Sequence, residues 1–132
     1  MCNVLKQLLI SHGNKIDWMG YALHKGNRPT YHHIVKRAYG GERILENGAV
    51  LGRRSHEYLH RIEIYEVCLY SYINDVLKSI NSQMHKPTIN QLLDINRLLV
   101  EFEEEYQDKH SKKDKPIVEK EDVKTRALHL WR

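Results

Sequence analysis

The apolar pattern of the downstream half limits the fold more than any other feature of the chain. Leu69, Ile73, Val76, Leu77 and Ile80 recur at spacings of three and four, which puts them along one face of an α-helix. The pattern breaks at His85-Lys86-Pro87, and a second stripe of Leu92, Ile95, Leu99, Phe102 and Tyr106 follows. Thr88 with Gln91 three residues on has the form of a capping box, which sets the start of the second helix. Two such helices joined by a short Pro-containing connection predict an antiparallel hairpin over about 64–108. Both stripes read as core rather than as a cofactor or partner surface.

The upstream half must supply the rest of that core. Val4, Leu5, Leu8 and Leu9 fit a short helix over 1–12, stopped by Gly13-Asn14. Asp17 to Pro29 turns to Gly, Asn, Arg and Pro and reads as irregular chain. Thr30 to Val35 is rich in β-branched and aromatic residues and predicts a strand. Gly40-Gly41 and Asn47-Gly48 mark turns, and Ala49-Val50-Leu51 predicts a second strand pairing with the first. Ser55 to Arg61 has good helix formers, with Arg53 and Arg54 near the expected start. The fold class is therefore α+β, with one domain over 1–108.

From residue 109 to 132 the charges alternate and apolar residues are scarce until Leu128, Leu130 and Trp131, so this stretch reads as a flexible tail. A chain of 132 residues supports one modest core. No apolar run approaches the roughly 20 residues that span a bilayer, which excludes a membrane protein. The opening MCNVLKQLLISHG lacks the marks of a secretory signal, so a cytoplasmic location is expected. Cys2 and Cys68 form no Cys-x-x-Cys pair, which argues against a disulfide framework and a cysteine-held zinc. Cys68, in VCLYSYI, reads as a core residue.

Two compositional features point towards chemistry. The chain holds nine histidines, well above the usual share. The net charge is +4, yet Gly20–Arg61 alone carries eight Lys or Arg against Glu42, Glu46 and Glu57. A basic, histidine-rich centre suits a polyanionic partner; a solvated basic face is the plainer alternative.

His56 and His60 are four apart in a predicted helix, so both imidazoles project from one face. Neutral imidazoles are good ligands for zinc or another transition ion. His32 or His33 on the neighbouring strand offers a third ligand. Adjacent strand residues point to opposite faces, so both reach one site only if the strand is bulged or ends there. One histidine then binds the ion while the other is free to act as a base, a division that suits metal-assisted hydrolysis.

In order and spacing, YHHIVKRAYGGERILENGAVLGRRSHEYLH over 31–60 resembles the HNH, or ββα-metal, nuclease family. The resemblance implies a ββα-metal core over about 30–62 and hydrolysis of phosphodiesters in DNA. It makes His33 the general base, His32 and His56 metal ligands, and Asn47 the residue that orders the loop and holds the base through the backbone. A further histidine four residues on is similar to the colicin group of bacterial toxin DNases and makes His60 a third ligand. One divalent ion is implied, with magnesium, manganese, nickel and zinc not distinguished. Gly52 and Ser55 stand near where paired cysteines lie in many such proteins, so no structural zinc is expected. Arg53, Arg54, Lys36 and Arg37 become candidates for gripping phosphates. His12, His24, His85, His110 and His129 lack paired spacing and carry no assigned role.

The resemblance implies a setting in which small proteins of this style are common, phages and mobile elements, and so a bacterial or phage-infected cell. Nothing in the sequence resembles a separate recognition domain, so cutting is expected to be weakly specific or directed by a protein partner. A non-catalytic DNA-binding module and a metal-stabilised interaction module on the same scaffold are the competing readings.

Overall fold

The computed structural model describes residues 3–12, 15–83 and 85–109. Helix α1 (Asn3–His12) is followed by strand β1 (Pro29–His33), two short 3-10 turns (Arg37–Tyr39 and Leu45–Asn47) and strand β2 (Gly48–Gly52). Helices α2 (Arg53–Tyr65), α3 (Val67–Ser82) and α4 (Ile89–Lys109) complete the described chain. The strands pair antiparallel with Thr30 opposite Leu51, His32 opposite Ala49 and His33 opposite Gly48. A two-stranded sheet is marginal alone and depends on what covers it. Here β2 is buried along its whole length and packs against α1, α2 and α3.

The strand expected over 30–35 ends at His33. Asn47 is the reason. Its backbone carbonyl accepts from Ile34 N–H at 2.9 Å. Its side chain accepts from Val35 N–H at 2.7 Å and donates to Val35 C=O at 3.0 Å, taking over the groups that would have continued the ladder.

The irregular reading of Asp17–Pro29 understates that stretch. Trp18, Met19 and Tyr21 are buried, and isolated bridges join Ile16 to Ala22 and His24 to Asn27. Trp18 N–H donates to Val50 C=O at 2.9 Å, which covers part of the free edge of β2. The stretch also caps α2. Gly52, Arg53 and Arg54 present N–H groups that the helix cannot satisfy itself. They donate to Asp17 Oδ2 at 2.8 Å, Arg28 C=O at 2.8 Å and Asn27 Oδ1 at 2.9 Å. A side chain at position 52 would collide with the Asn27 carboxamide, so the close approach requires glycine. With that cap in place α2 begins at Arg53 and runs to Tyr65, longer than the 55–61 expected.

The hairpin forms as its stripes predict. Leu69, Ile73, Leu77 and Ile80 of α3 and Leu92, Ile95, Leu99, Phe102 and Tyr106 of α4 are buried. The capping box closes in both directions: Thr88 N–H donates to Gln91 Oε1 at 2.8 Å, and Gln91 N–H to Thr88 Oγ1 at 3.2 Å. Cys68 is exposed, contrary to the core reading. It sits one position off the buried stripe, and about 100° per residue turns it outward. Trp18 stacks on His85 across 6.4 Å.

Residues 110–132, and with them most of the expected tail, lie outside the described residues, as do Cys2 and the Gly13-Asn14 stop. Among the described residues no helix is long and apolar enough to cross a membrane.

Candidate metal centre

Strand β1 and helix α2 bring three histidines together. One ring nitrogen from each of His32, His56 and His60 lies within 4.8 Å of those of the other two. The rings of His56 and His60 stack at 4.7 Å, one helical turn apart, and His32 meets His56 edge-on at 5.3 Å. His32, not His33, thus joins the helical pair. Register decides this: His32 is buried opposite Ala49, while His33 at the strand's end packs edge-on against Tyr31 at 4.8 Å. No bulge interrupts the pairing; termination of β1 at His33 is what lets both neighbours line one cleft. That cleft holds about 320 Å³ and is lined by His32, His33, Lys36, Arg37, His56, His60, Glu63 and Tyr70.

Each ligand candidate is oriented through its second ring nitrogen. The Thr30 hydroxyl donates to Leu51 C=O at 2.7 Å, so towards His56 Nδ1, at 2.9 Å, it can only accept. That bond assigns the proton to Nδ1 and leaves the Nε2 lone pair of His56 free. Asn74 Nδ2 donates to Ile34 C=O at 2.8 Å, which turns Oδ1 towards His32 Nε2 at 2.9 Å. His32 therefore holds its proton on Nε2 and offers Nδ1. His60 Nδ1 faces Glu63 Oε1 at 3.4 Å, leaving Nε2 free. An amide oxygen, a hydroxyl and a carboxylate accepting from imidazole N–H groups form the outer support that metal-binding histidines require. This donor set fits a divalent transition ion.

The electrostatics agree with that fit. Burial, opposed by the Asn74 bond and reinforced by the neighbouring imidazoles, lowers His32 to about 4. Burial, with His60 and His33 adding to it, also lowers His56 to about 4. Both are neutral at pH 7, the form that ligates. Burial, with Arg43 and Arg37 beside it, lowers His33 below its ordinary 6.5. Burial would raise the Glu63 carboxyl, but bonds from Lys36 and His60 outweigh it and leave Glu63 lowered. Burial, then the charge of Glu63, raises the Tyr70 hydroxyl to about 12.

The four basic candidates divide. Lys36 and Arg37 line the cleft, and Lys36 pairs with Glu63 while sitting over the Tyr70 ring at 5.8 Å. Arg53 and Arg54 are not among the lining residues. Arg53 pairs with Glu57 at 3.6 Å on the exposed face of α2, and the Arg54 guanidinium lies beside Gly26.

Thr30, Glu63, Tyr70 and Asn74 escaped the sequence reading. Two carried a local signal: Thr30 shares the strand face of His32, and Glu63 follows His60 by three on α2. Asn74 and Asn81, two turns apart on α3, signal a helix that docks on backbone. Asn81 Nδ2 donates to Leu45 C=O at 2.6 Å and Gly48 C=O at 2.7 Å, beside the Asn74 bond to Ile34. The partners of such bonds cannot be read from local spacing. No protein-family model, curated protein or solved structure matches this chain.

Proposed function

We propose that this chain is an HNH-type endonuclease that hydrolyses phosphodiester bonds in DNA with the help of one divalent ion. The observation that carries this reading is the convergence of His32, His56 and His60 in the cleft that His33 also lines. A bound ion would supply positive charge to a phosphate as its oxygens become more negative. Imidazole ligation suits zinc or nickel better than magnesium or manganese, which prefer oxygen.

His33, neutral at pH 7, accepts a proton from water as the water oxygen attacks phosphorus. The phosphorus–oxygen bond to the departing sugar breaks, and that oxygen takes a proton from solvent. Asn47 holds the chain two residues beyond the base, and Tyr31 packs against its ring, so the imidazole's position is set from both sides. Arg37 and Lys36 would hold the phosphate.

Incubating supercoiled plasmid with the protein in EDTA, and separately with each metal, tests the reading. Metal-dependent nicking or linearisation is expected. His56→Ala should lose metal binding and cleavage together. His33→Ala should keep metal binding yet cleave about 10²–10⁴-fold slower. Metal binding without cleavage under every condition would leave the interaction module as the better reading.

A further inference from the structure

The loop between the strands carries an aromatic ring that the core does not use. Tyr39 is 80% exposed, and Val35 and Ile44 of the same loop are 46% and 42% exposed. Tyr39 ends the 3-10 turn that starts at Arg37, a residue of the cleft. At about 2 Å of rise per residue, its backbone stands only some 4 Å further along the turn.

The loop is not a loose excursion. Asn47 donates to Glu42 C=O at 3.0 Å in addition to its two bonds to Val35. The Tyr31 hydroxyl donates to Ile44 C=O at 2.8 Å. Gly41 N–H donates to Lys36 C=O at 3.0 Å, and any side chain at position 41 would collide with the Val35 carbonyl. The ring is thus presented to solvent from a braced base. Two residues before it Arg37 makes no ion pair among the described residues, and four residues after it Arg43 lies over the Tyr31 ring at 5.4 Å.

We propose that Tyr39 is a stacking platform for an unpaired nucleobase one or two nucleotides from the phosphate held in the cleft, with Arg37 and Arg43 gripping the backbone on either side. An exposed ring on a loop that also carries cations is the combination that binds single strands. The bases inside a duplex are stacked on both faces and leave no open face for a ring held on a rigid loop. The enzyme would therefore favour single strands, bulges or junctions over regular duplex. This inference rests on the nuclease reading above and adds the structural class of its DNA substrate.

The test measures binding in EDTA by fluorescence polarisation, using one labelled oligonucleotide alone and annealed to its complement. Wild type should bind the single strand more tightly. Tyr39→Ala should weaken that binding roughly 5- to 100-fold, as expected for the loss of one stacked base. Tyr39→Trp should retain it, and duplex binding should change less than twofold in both variants. Circular dichroism and metal affinity should match wild type, because the ring is 80% exposed and contributes little to the core. An equal loss on single strand and duplex would make Tyr39 a wedge or a general contact and overturn the proposal. So would no loss on either, which would point to a protein or membrane partner for the loop. Plasmid cleavage run in parallel keeps the two readings apart: cleavage with an indifferent Tyr39 defeats only the stacking role, whereas a wild type that neither binds nor cleaves DNA defeats both.

Discussion

The two irregular connectors on either side of β1 have opposite fates. Residues 15–28 bury Trp18, Met19 and Tyr21 and spend their polar groups on the start of α2 and the edge of β2. Residues 34–47 are braced at the base by Asn47 but leave Tyr39 in solvent, two residues past Arg37 of the cleft. Both lack regular ladders, so hydrogen bonding alone does not tell the two apart. Burial of the side chains does. The first connector should answer to mutation as core, and the second as a surface that meets a ligand.

The largest effect should come from the first connector. Asp17→Ala would strand the N–H groups of Met19, Tyr21 and Gly52, which now share the two Asp17 oxygens. Each stranded buried donor costs roughly 1–3 kcal/mol, so a loss of about 4 kcal/mol in urea unfolding is expected. A loss below about 1 kcal/mol would mean this connector does not cap α2.

Titration should also set the two sides apart. Burial raises the Asp17 carboxyl and lowers the imidazole of His32 to about 4. As pH falls below 6.5 the unfolded chain protonates position 32 first, while the folded protein resists until about 4. The stability that His32 contributes is thus fully present above pH 6.5 and lost as pH falls towards about 4, by on the order of 3 kcal/mol. Asp17 acts with the opposite sign: its contribution is fully present below its ordinary 3.8 and is lost as pH rises through its elevated value. Urea midpoints of metal-free wild type and His32→Gln between pH 7 and pH 4.5 isolate the histidine. Parallel profiles would show that His32 titrates in the fold as it does in the open chain.

Glu63→Gln sharpens the comparison at the cleft. It removes the carboxylate that faces His60 and pairs with Lys36. Metal affinity measured by calorimetry should fall about 10- to 100-fold, the usual cost of losing an outer-shell partner. Stability should change by less than about 1 kcal/mol, because the pair is partly exposed. Unchanged affinity would mean that the helix alone orients His60.

The smallest effect on folding belongs to the second connector. Arg37→Ala should alter stability by less than about 0.5 kcal/mol. On the proposed nuclease reading it should still reduce the salt slope of DNA binding by about one phosphate contact, whereas Arg53→Ala, outside the cleft, should leave that slope unchanged. A large loss of stability from Arg37→Ala would place the second connector in the core with the first.

What could be read from the chain is local in origin. The helix stripes, the Thr88–Gln91 box, the paired strands and the projection of His56 and His60 from one face all follow from the fixed periods of helix and strand. Those periods hold whatever the neighbours are. Spacing by itself left open whether His32 or His33 meets the helical pair. Pairing of His32 with Ala49, and burial of the sheet beneath α2 and α3, chose His32. Only the tertiary structure brought Asp17, Asn27 and Arg28 to the start of α2, and Asn74 to His32. It also carried Arg53 and Arg54 away from the cleft they adjoin in sequence. Such contacts join residues tens of positions apart, and their geometry is set by how apolar faces pack and by the need to satisfy every buried polar group.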